Sequence, residues 1–247
     1  MSRYTLDFSP LLGYWEVFLH GALLTLQMTA LAVVVGVAVG VLVAFGKRGR
    51  NRAVAWACTV YIEIVRNTPF LVQIFLFYFG LASFGLRMPT FTAAVLAMII
   101  NIAAYAAEII RAGLESVPRG QIEAAECLGL PRWRIGWHVM LQPSIEKVYP
   151  ALTSQFLLMM QASAMASQIS AQELTAIANT VQSDTFRSLE TYLVVAALYI
   201  ALSLCIKGLS ALLGRAIFRR SRVLRQARAE RPGRRPVAAA LGTGGTA

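Results

Sequence analysis

The sequence predicts an all-α membrane protein with five transmembrane helices and a short pair of cytoplasmic helices between the third and fourth spans. Three observations predict it. Of the 247 residues, 57% are hydrophobic and only 14% are charged, where a soluble domain carries about a quarter charged. The apolar residues fall in runs long enough to cross a bilayer. The basic residues gather in the loops and tail that flank alternate ends of those runs. The net charge of +11 therefore reports membrane orientation rather than a nucleic-acid surface.

Residues 1–16 read as a short extracytoplasmic segment, without the basic flank and brief apolar core of a cleaved leader. A membrane domain follows over residues 17–218. From Val17 to Gly46 there is no charge at all, and Gly36 and Gly40 offer a small-residue packing face. The second run, Ala53 to Leu86, carries Glu63, Arg66 and Pro69, and Asn67-Thr68-Pro69 is placed to break its helix. The third, Met88 to Ala107, is uncharged. The fourth, Val148 to Gln172, is uncharged but rich in Ser, Gln and Met beyond Gln155. The fifth, Thr191 to Gly214, carries only Lys207, which can snorkel to an interface. Residues 219–247 are Arg-rich, then rich in Pro, Ala and Gly, and read as a disordered cytoplasmic tail that touches anionic membrane lipid.

Charge asymmetry orients the spans. Lys47, Arg48, Arg50 and Arg52 follow the first run, and Arg111, Arg119, Arg132, Arg134 and Lys147 follow the third. The tail adds nine arginines between Arg215 and Arg235. The other side has Arg3, Arg87 and Arg187 against Asp7, Glu16, Glu173, Asp184 and Glu190. The basic side is cytoplasmic, so the N-terminus lies outside and the C-terminus inside a cell membrane. Cys58, Cys127 and Cys205 have neither pairing nor metal-ligand spacing, and His20 and His138 stand alone.

The loop over about 115–142 reads as two short helices. Pro118 suits a first turn with Ser116 near the N-cap, and Gly129 suits the left-handed position that stops a helix. Pro131 starts the second helix and Pro143 ends it. Physical chemistry alone leaves two roles open for this pair, an interfacial element lying on the membrane or a docking element for a partner.

The segment EIIRAGLESVPRGQIEAAECLGLPRWRIGWHVML (residues 108–141) resembles the coupling region of permease subunits of binding-protein-dependent ABC importers, in the polar amino-acid subfamily. YIEIVRNTPFLVQIFLFYFGL (61–81), YPALTSQFLLMM (149–160) and TFRSLETYLVVAALYIALSL (185–204) resemble further blocks of the same subfamily in the same order. The resemblance implies a membrane-spanning subunit that forms the translocation pathway as a dimer, with an identical or a sister permease subunit. It implies an ABC ATPase dimer that docks on the short helix, and an extracytoplasmic binding protein that delivers an amino acid. Gly120, Glu123, Ala124, Ala125 and Gly129 match the coupling motif, and the two alanines are expected to allow close approach of the ATPase. The chain carries no cofactor of its own and is not an enzyme, since it lacks a Gly-Lys-Ser/Thr phosphate loop; ATP and Mg belong to the partner ATPase.

Candidate pathway residues are Glu63, Arg66, Asn101, Gln155, Gln161 and Ser163. Glu63 and Arg66 share a helix face about 15–20 Å into the second run, as a local ion pair or as a lining for a zwitterion. Asn101, Tyr105 and Glu108 form a polar stripe that continues to Arg111. Gln155, Gln161, Ser163, Ser167 and Gln168 form another, with Met159, Met160 and Met165 as a pliable gate. Where many members of the subfamily have Lys-Asp-Thr-Ser, this chain has Gln161, Ala162, Ser163 and Ala164. Two other function classes fit an isolated bundle of this kind. An ion-coupled carrier would use Glu63, Arg66 and Glu108 as a relay. A non-transporting scaffold would dock a partner without moving substrate.

Overall fold

The computed structural model describes residues 5–217, among which there is no strand. The sequence expectations for Arg3 and for the tail over 219–247 lie outside the described residues. The chain divides into two compact units, Met1–Gly208 and Leu209–Ala247. Within the described residues the second holds only the end of the last helix.

A 3-10 turn, Ser9–Tyr14, leads into α1 (Trp15–Arg48). The absence of charge between Val17 and Gly46 lets α1 run without interruption. α2 (Arg52–Arg66) starts on Asn51, whose side-chain oxygen accepts from the N–H groups of Ala53 and Val54. It breaks at Asn67-Thr68-Pro69, and α3 (Phe70–Phe75) resumes through π-helical Leu76–Gly80 into α4 (Leu81–Ser83). The two arms of this second segment meet at 109°. The run Ala53 to Leu86 is thus a broken helix and not one straight rod. Pro69 causes the break: it has no N–H to give Val65 O, and its ring clashes with the preceding turn.

α5 (Thr90–Glu115) is the central helix. Of its most apolar stretch 61% is buried, against 33% for α1. Ala93, Ala94, Ala97, Ala103, Ala104, Ala106 and Ala107 are all buried, and the small-residue face expected of α1 packs on them. A Cβ on Gly40 would stand 2.8 Å from Ala106 Cβ and 2.9 Å from Ala103 O, and one on Gly36 would stand 2.8 Å from the Ile102 side chain. The two backbones approach closely because Gly40 meets alanines and Gly36 leaves room for Ile102, the small-residue packing that membrane helices favour.

α6 (Arg119–Cys127) and α7 (Arg132–Arg134) follow. The second loop helix departs from the sequence expectation. α7 runs into π-helical Ile135–Leu141 and on into α8 (Gln142–Ala162). Pro143 does not end a helix but sits in the first turn of α8, where its fixed φ is suited and its missing N–H matters least. The wider π turns upstream accommodate the lost bond.

α8 gives way to a 3-10 stretch, Ser163–Ile169, which stops at left-handed Ser170 (φ 60°). The fourth run is therefore an α-helix with a differently wound end. α9 (Leu174–Thr185) and α10 (Ser188–Ile217) complete the order. Three helical segments, Ser9–Arg48, Thr90–Glu115 and Ser188–Ala216, are long and apolar enough to cross a membrane, and the bent pair makes a fourth.

Glu173 is one of the acids that the sequence assigns to the side opposite the basic loops. It is fully buried, where it caps α9 by accepting from Ala176 N–H at 2.7 Å and receives the Tyr199 hydroxyl at 2.9 Å. Tyr199 also lies 2.9 Å from Thr175 Oγ1, and Leu174 N–H donates to Thr25 Oγ1 at 3.1 Å. Burial pushes the Glu173 carboxyl above the usual carboxylate range. Nearby, Asp7 accepts from Ser9 and faces Arg187 at 3.8 Å, while Arg187 reaches Glu190 at 3.3 Å, so the N-terminal segment is tied to the start of α10.

Candidate functional site

Two features carry the functional expectations: the short helix α6 and a cavity beside the break in the second segment.

α6 is set by its ends. Pro118 occupies the N-cap position, one place earlier than the sequence suggests, and contributes no side-chain cap. Ser116 does not cap α6; its hydroxyl donates to Gly113 O at 2.8 Å and so finishes α5. Lys147 of α8 donates to Ser116 O at 3.0 Å and fastens the same corner. At the other end Gly129 adopts φ +70°, as its sequence position implies. Gly129 N–H donates to Glu126 O at 2.9 Å and Leu130 N–H to Ala125 O at 3.2 Å. That pair of bonds is a Schellman stop. A Cβ on Gly129 would meet nothing within 4 Å, so its requirement is backbone conformation and not space.

The faces of α6 are distinct. Ala125 is 5% exposed and Ile122 is half-buried, so this side packs inward. Of the two alanines of the motif, Ala124 is exposed and Ala125 packs against the chain itself. Gly120, Glu123, Ala124, Cys127 and Leu128 are all exposed, and their spacing of i, i+3, i+4, i+7 and i+8 puts them on one stripe. Leu128 is 79% exposed and Gly120 has open space around it. Cys127 and Leu128 were not marked by the motif, although their helical spacing from Glu123 and Ala124 was available to be counted.

An open cavity of about 380 Å³ lies where α2 breaks. Arg66, Asn67 and Thr68 come to it from the break, Asn101 and Tyr105 from α5, and Gln155 and Met159 from α8. Of the six pathway candidates it collects Arg66, Asn101 and Gln155. The Arg66 guanidinium stands 5.5 Å from the centre of the Tyr105 ring, a cation–π distance.

Glu63 is not brought to the cavity, and it makes no ion pair with Arg66. Its Oε2 accepts from Asn67 Nδ2 at 3.2 Å, while Arg66 turns to Tyr105. Gln161 is exposed and Ser163 is fully buried, its hydroxyl donating to Met160 O at 2.7 Å. The change from α to 3-10 winding at Ser163 breaks the stripe that was counted through these residues, because successive side chains then step by about 120° instead of 100°. Of the three methionines, Met159 and Met160 are buried and Met165 is 41% exposed.

Gln73 is the residue that sequence reading passed over. It is 5% exposed; its Nε2 donates to Val65 O at 2.8 Å and Thr68 O at 2.9 Å, and its Oε1 accepts from Asn101 Nδ2 at 3.0 Å. A polar residue four places after a helix-breaking proline is a usable signal, since freed carbonyls need donors. Further along α5, Glu108 binds Lys47 at 3.1 Å and also Arg111, which reaches Glu115. A carboxylate held between two cations is poorly placed as a relay with Glu63 and Arg66. Among the described residues no cluster of His, Cys, Asp and Glu could hold a metal ion.

Residues 36–219 match the family model described as "Binding-protein-dependent transport system inner membrane component". The chain is 33% identical over 220 residues to an octopine transport system permease protein of Rhizobium meliloti, which covers 84% of this chain and 89% of that one. It is 33% identical over 196 residues to a nopaline transport system permease protein of Agrobacterium fabrum, covering 75% and 81%. Among solved structures, one described as an amino acid ABC transporter with histidines superposes with a TM-score of 0.81 at 39% identity, over 86% of this chain and 100% of that one. An inward-facing MetNI methionine ABC transporter shares the fold, with a TM-score of 0.66 at 22% identity over 88% and 99%.

Proposed function

Since the chain belongs to the family of binding-protein-dependent transport system inner membrane components, we propose that it forms, as a dimer with an identical or sister subunit, the membrane pathway of an ATP-driven importer of amino acids or close analogues. It is not an enzyme; in this reading ATP and Mg are held by a partner ATPase pair, and an extracytoplasmic binding protein supplies the substrate.

The observation that carries the reading is α6. A nine-residue helix with a Schellman stop presents an uninterrupted exposed stripe from Gly120 to Leu128. Such a stripe on a short, sharply bounded helix suits insertion into a cleft of a moving partner. The cavity beside the break supplies the second half of the reading. It gathers a cation, amides and a phenol from three segments at one point, the mix a zwitterion needs. The names of the relatives, transporters of octopine, nopaline and amino acids, favour that class of cargo.

In this reading the chain crosses the membrane five times: by α1, by the broken pair from α2 to α4, by α5, by α8 with its 3-10 extension, and by α10. The basic ends support a cytoplasmic α6 and an external Asp184. A cysteine placed at Arg50 should resist an impermeant reagent in intact cells, and one placed at Asp184 should react. Labelling at Arg50 would reverse the orientation. For coupling, Glu123→Lys should leave the subunit in the membrane but cut binding-protein-stimulated ATP hydrolysis and uptake together in the reconstituted complex. Parental activity in both assays would remove α6 from the coupling role.

A further inference from the structure

We infer that Gln73 is the positioning residue of the cavity: it turns the Asn101 amide so that its oxygen faces the transported molecule, and so makes the cavity select for an ammonium group beside the carboxylate that Arg66 attracts. The inference rests on the amino-acid transport reading above and names the recognition chemistry of that same site.

The direction of both amides follows from what can donate. Val65 O and Thr68 O are acceptors only. Pro69 has no N–H for Val65 O, and the break frees Thr68 O. Both lie within 2.9 Å of one end of the Gln73 side chain, so that end is the NH2 group. The other end, Oε1, can only accept. The Asn101 atom 3.0 Å from it is therefore Nδ2. Asn101 Oδ1 is then left over, with no hydrogen bond among the described residues, on a side chain that lines the cavity. Reversing Gln73 would set its oxygen against two carbonyl oxygens inside a buried site, so the amides cannot turn over together.

The helix break thus dictates the polarity of a group one helix away. An ammonium has three donors and no acceptor, and a free carbonyl-type oxygen is what it needs. The Arg66 guanidinium, lining the same cavity, has only donors and suits a carboxylate. Both features of an α-amino acid thereby find a complement, whereas a carboxylic acid lacking the amine would leave Asn101 Oδ1 unmatched. A site built to hydrogen-bond one group of its ligand discriminates against the analogue that lacks that group.

The test uses the reconstituted permease–ATPase complex without binding protein, so that selection by the binding protein does not enter. The probes are the radiolabelled proteinogenic L-amino acids, each competed with its des-amino acid; for L-histidine that competitor is imidazolepropionate. The parent should bind at least one amino acid and prefer it to its des-amino partner by about tenfold, the worth of one hydrogen bond to a charged group. Gln73→Lys keeps donors for both carbonyls but gives Asn101 no acceptor, so the amide is released while the break is held. Gln73→Met removes both functions. Each variant should lose most of that preference while binding of the des-amino acid is kept. Melting of the complex in detergent reports folding, and Gln73→Lys serves if Gln73→Met does not assemble. Unchanged preference in a folded Gln73→Lys complex would overturn the inference and leave the transport reading intact. A parent complex that binds no amino acid would overturn the transport reading itself, and the inference with it.

Discussion

Lys47 Nζ lies 3.1 Å from Glu108 Oε2, across the contact between α1 and α5. The two side chains are about one-fifth exposed, and Glu108 is also held by Arg111. Lys47 belongs to the basic group at the end of α1, and it ties the ends of two helices. Glu108→Gln should cost about 1–2 kcal/mol, because the partly buried Lys47 loses its counter-charge. A double-mutant cycle with Lys47→Met, read by thermal melting in detergent, should show a coupling of about 1 kcal/mol. Additive losses would mean that the pair does not hold the helix ends together.

The stop of α6 makes a conformational demand that two substitutions separate. Gly129→Asn should be nearly neutral, since Asn tolerates the left-handed region, whereas Gly129→Val should cost about 1–2 kcal/mol locally. Nothing lies within 4 Å of a Cβ at this position, so steric bulk is not the cause. The check is stimulated ATP hydrolysis in reconstituted complexes. The asparagine variant should match the parent, and the valine variant should fall well below it at equal membrane abundance.

Two glycines should respond oppositely to an added side chain. Gly40→Val drives a branched side chain into Ala106 Cβ and Ala103 O, which would stand 2.8 and 2.9 Å from its Cβ. Separation of α1 from α5 should lower folded yield severely, by about 2–3 kcal/mol or more of stability. Gly120→Ala meets open space and adds helix propensity, worth up to about 1 kcal/mol. Size-exclusion profiles of the two variants should therefore diverge, with Gly120→Ala folded as well as the parent.

Burial raises the Glu173 carboxyl pKa, so the folded state favours the neutral form. The sign follows: the contribution of neutral Glu173 to stability is present at low pH and is lost as pH rises through its folded-state pKa. Glu173→Gln fixes a neutral side chain that can still accept from Ala176 N–H and donate to Tyr199. It should melt at least as high as the parent at pH 8 and lose the advantage in acid. Glu173→Ala removes the cap and leaves Tyr199 with Thr175 as its remaining partner, and should cost about 1–2 kcal/mol at either pH.

Much of this architecture was legible in the sequence because its causes are local. Charge-free runs give the long helices, Pro69 gives the break, Gly129 gives the stop, and Gly36 with Gly40 gives the close crossing of α1 and α5. What was not legible depends on winding or on distant partners. Gln161 and Ser163 were placed on a stripe by assuming α-helical steps through a stretch that winds as a 3-10 helix. Pro143 was taken as a terminator, although a proline serves equally as an opener. Glu63 and Arg66 share a face by spacing, yet Tyr105 and Asn67 are better neighbours than either is for the other. Gln73 and Glu173 owe their importance to groups that only folding brings near: the carbonyls of Val65 and Thr68, and the hydroxyl of Tyr199.

From Arg132 to Ala162 the backbone stays helical through α7, the π turns and α8. The Schellman stop delivers α6 directly to the base of that rod, and Gln155 and Met159 stand 23 and 27 residues up it from Arg132, about 35–40 Å at helical rise. A helix resists compression, so thrust applied to α6 cannot dissipate in a slack loop on its way up. In the transport reading proposed above, it arrives at the cavity wall as a shift of Gln155 and Met159, softened at Ile135–Leu141, where wider turns leave the rod free to twist. In that reading the chain holds a pushrod with a torsional joint at its foot.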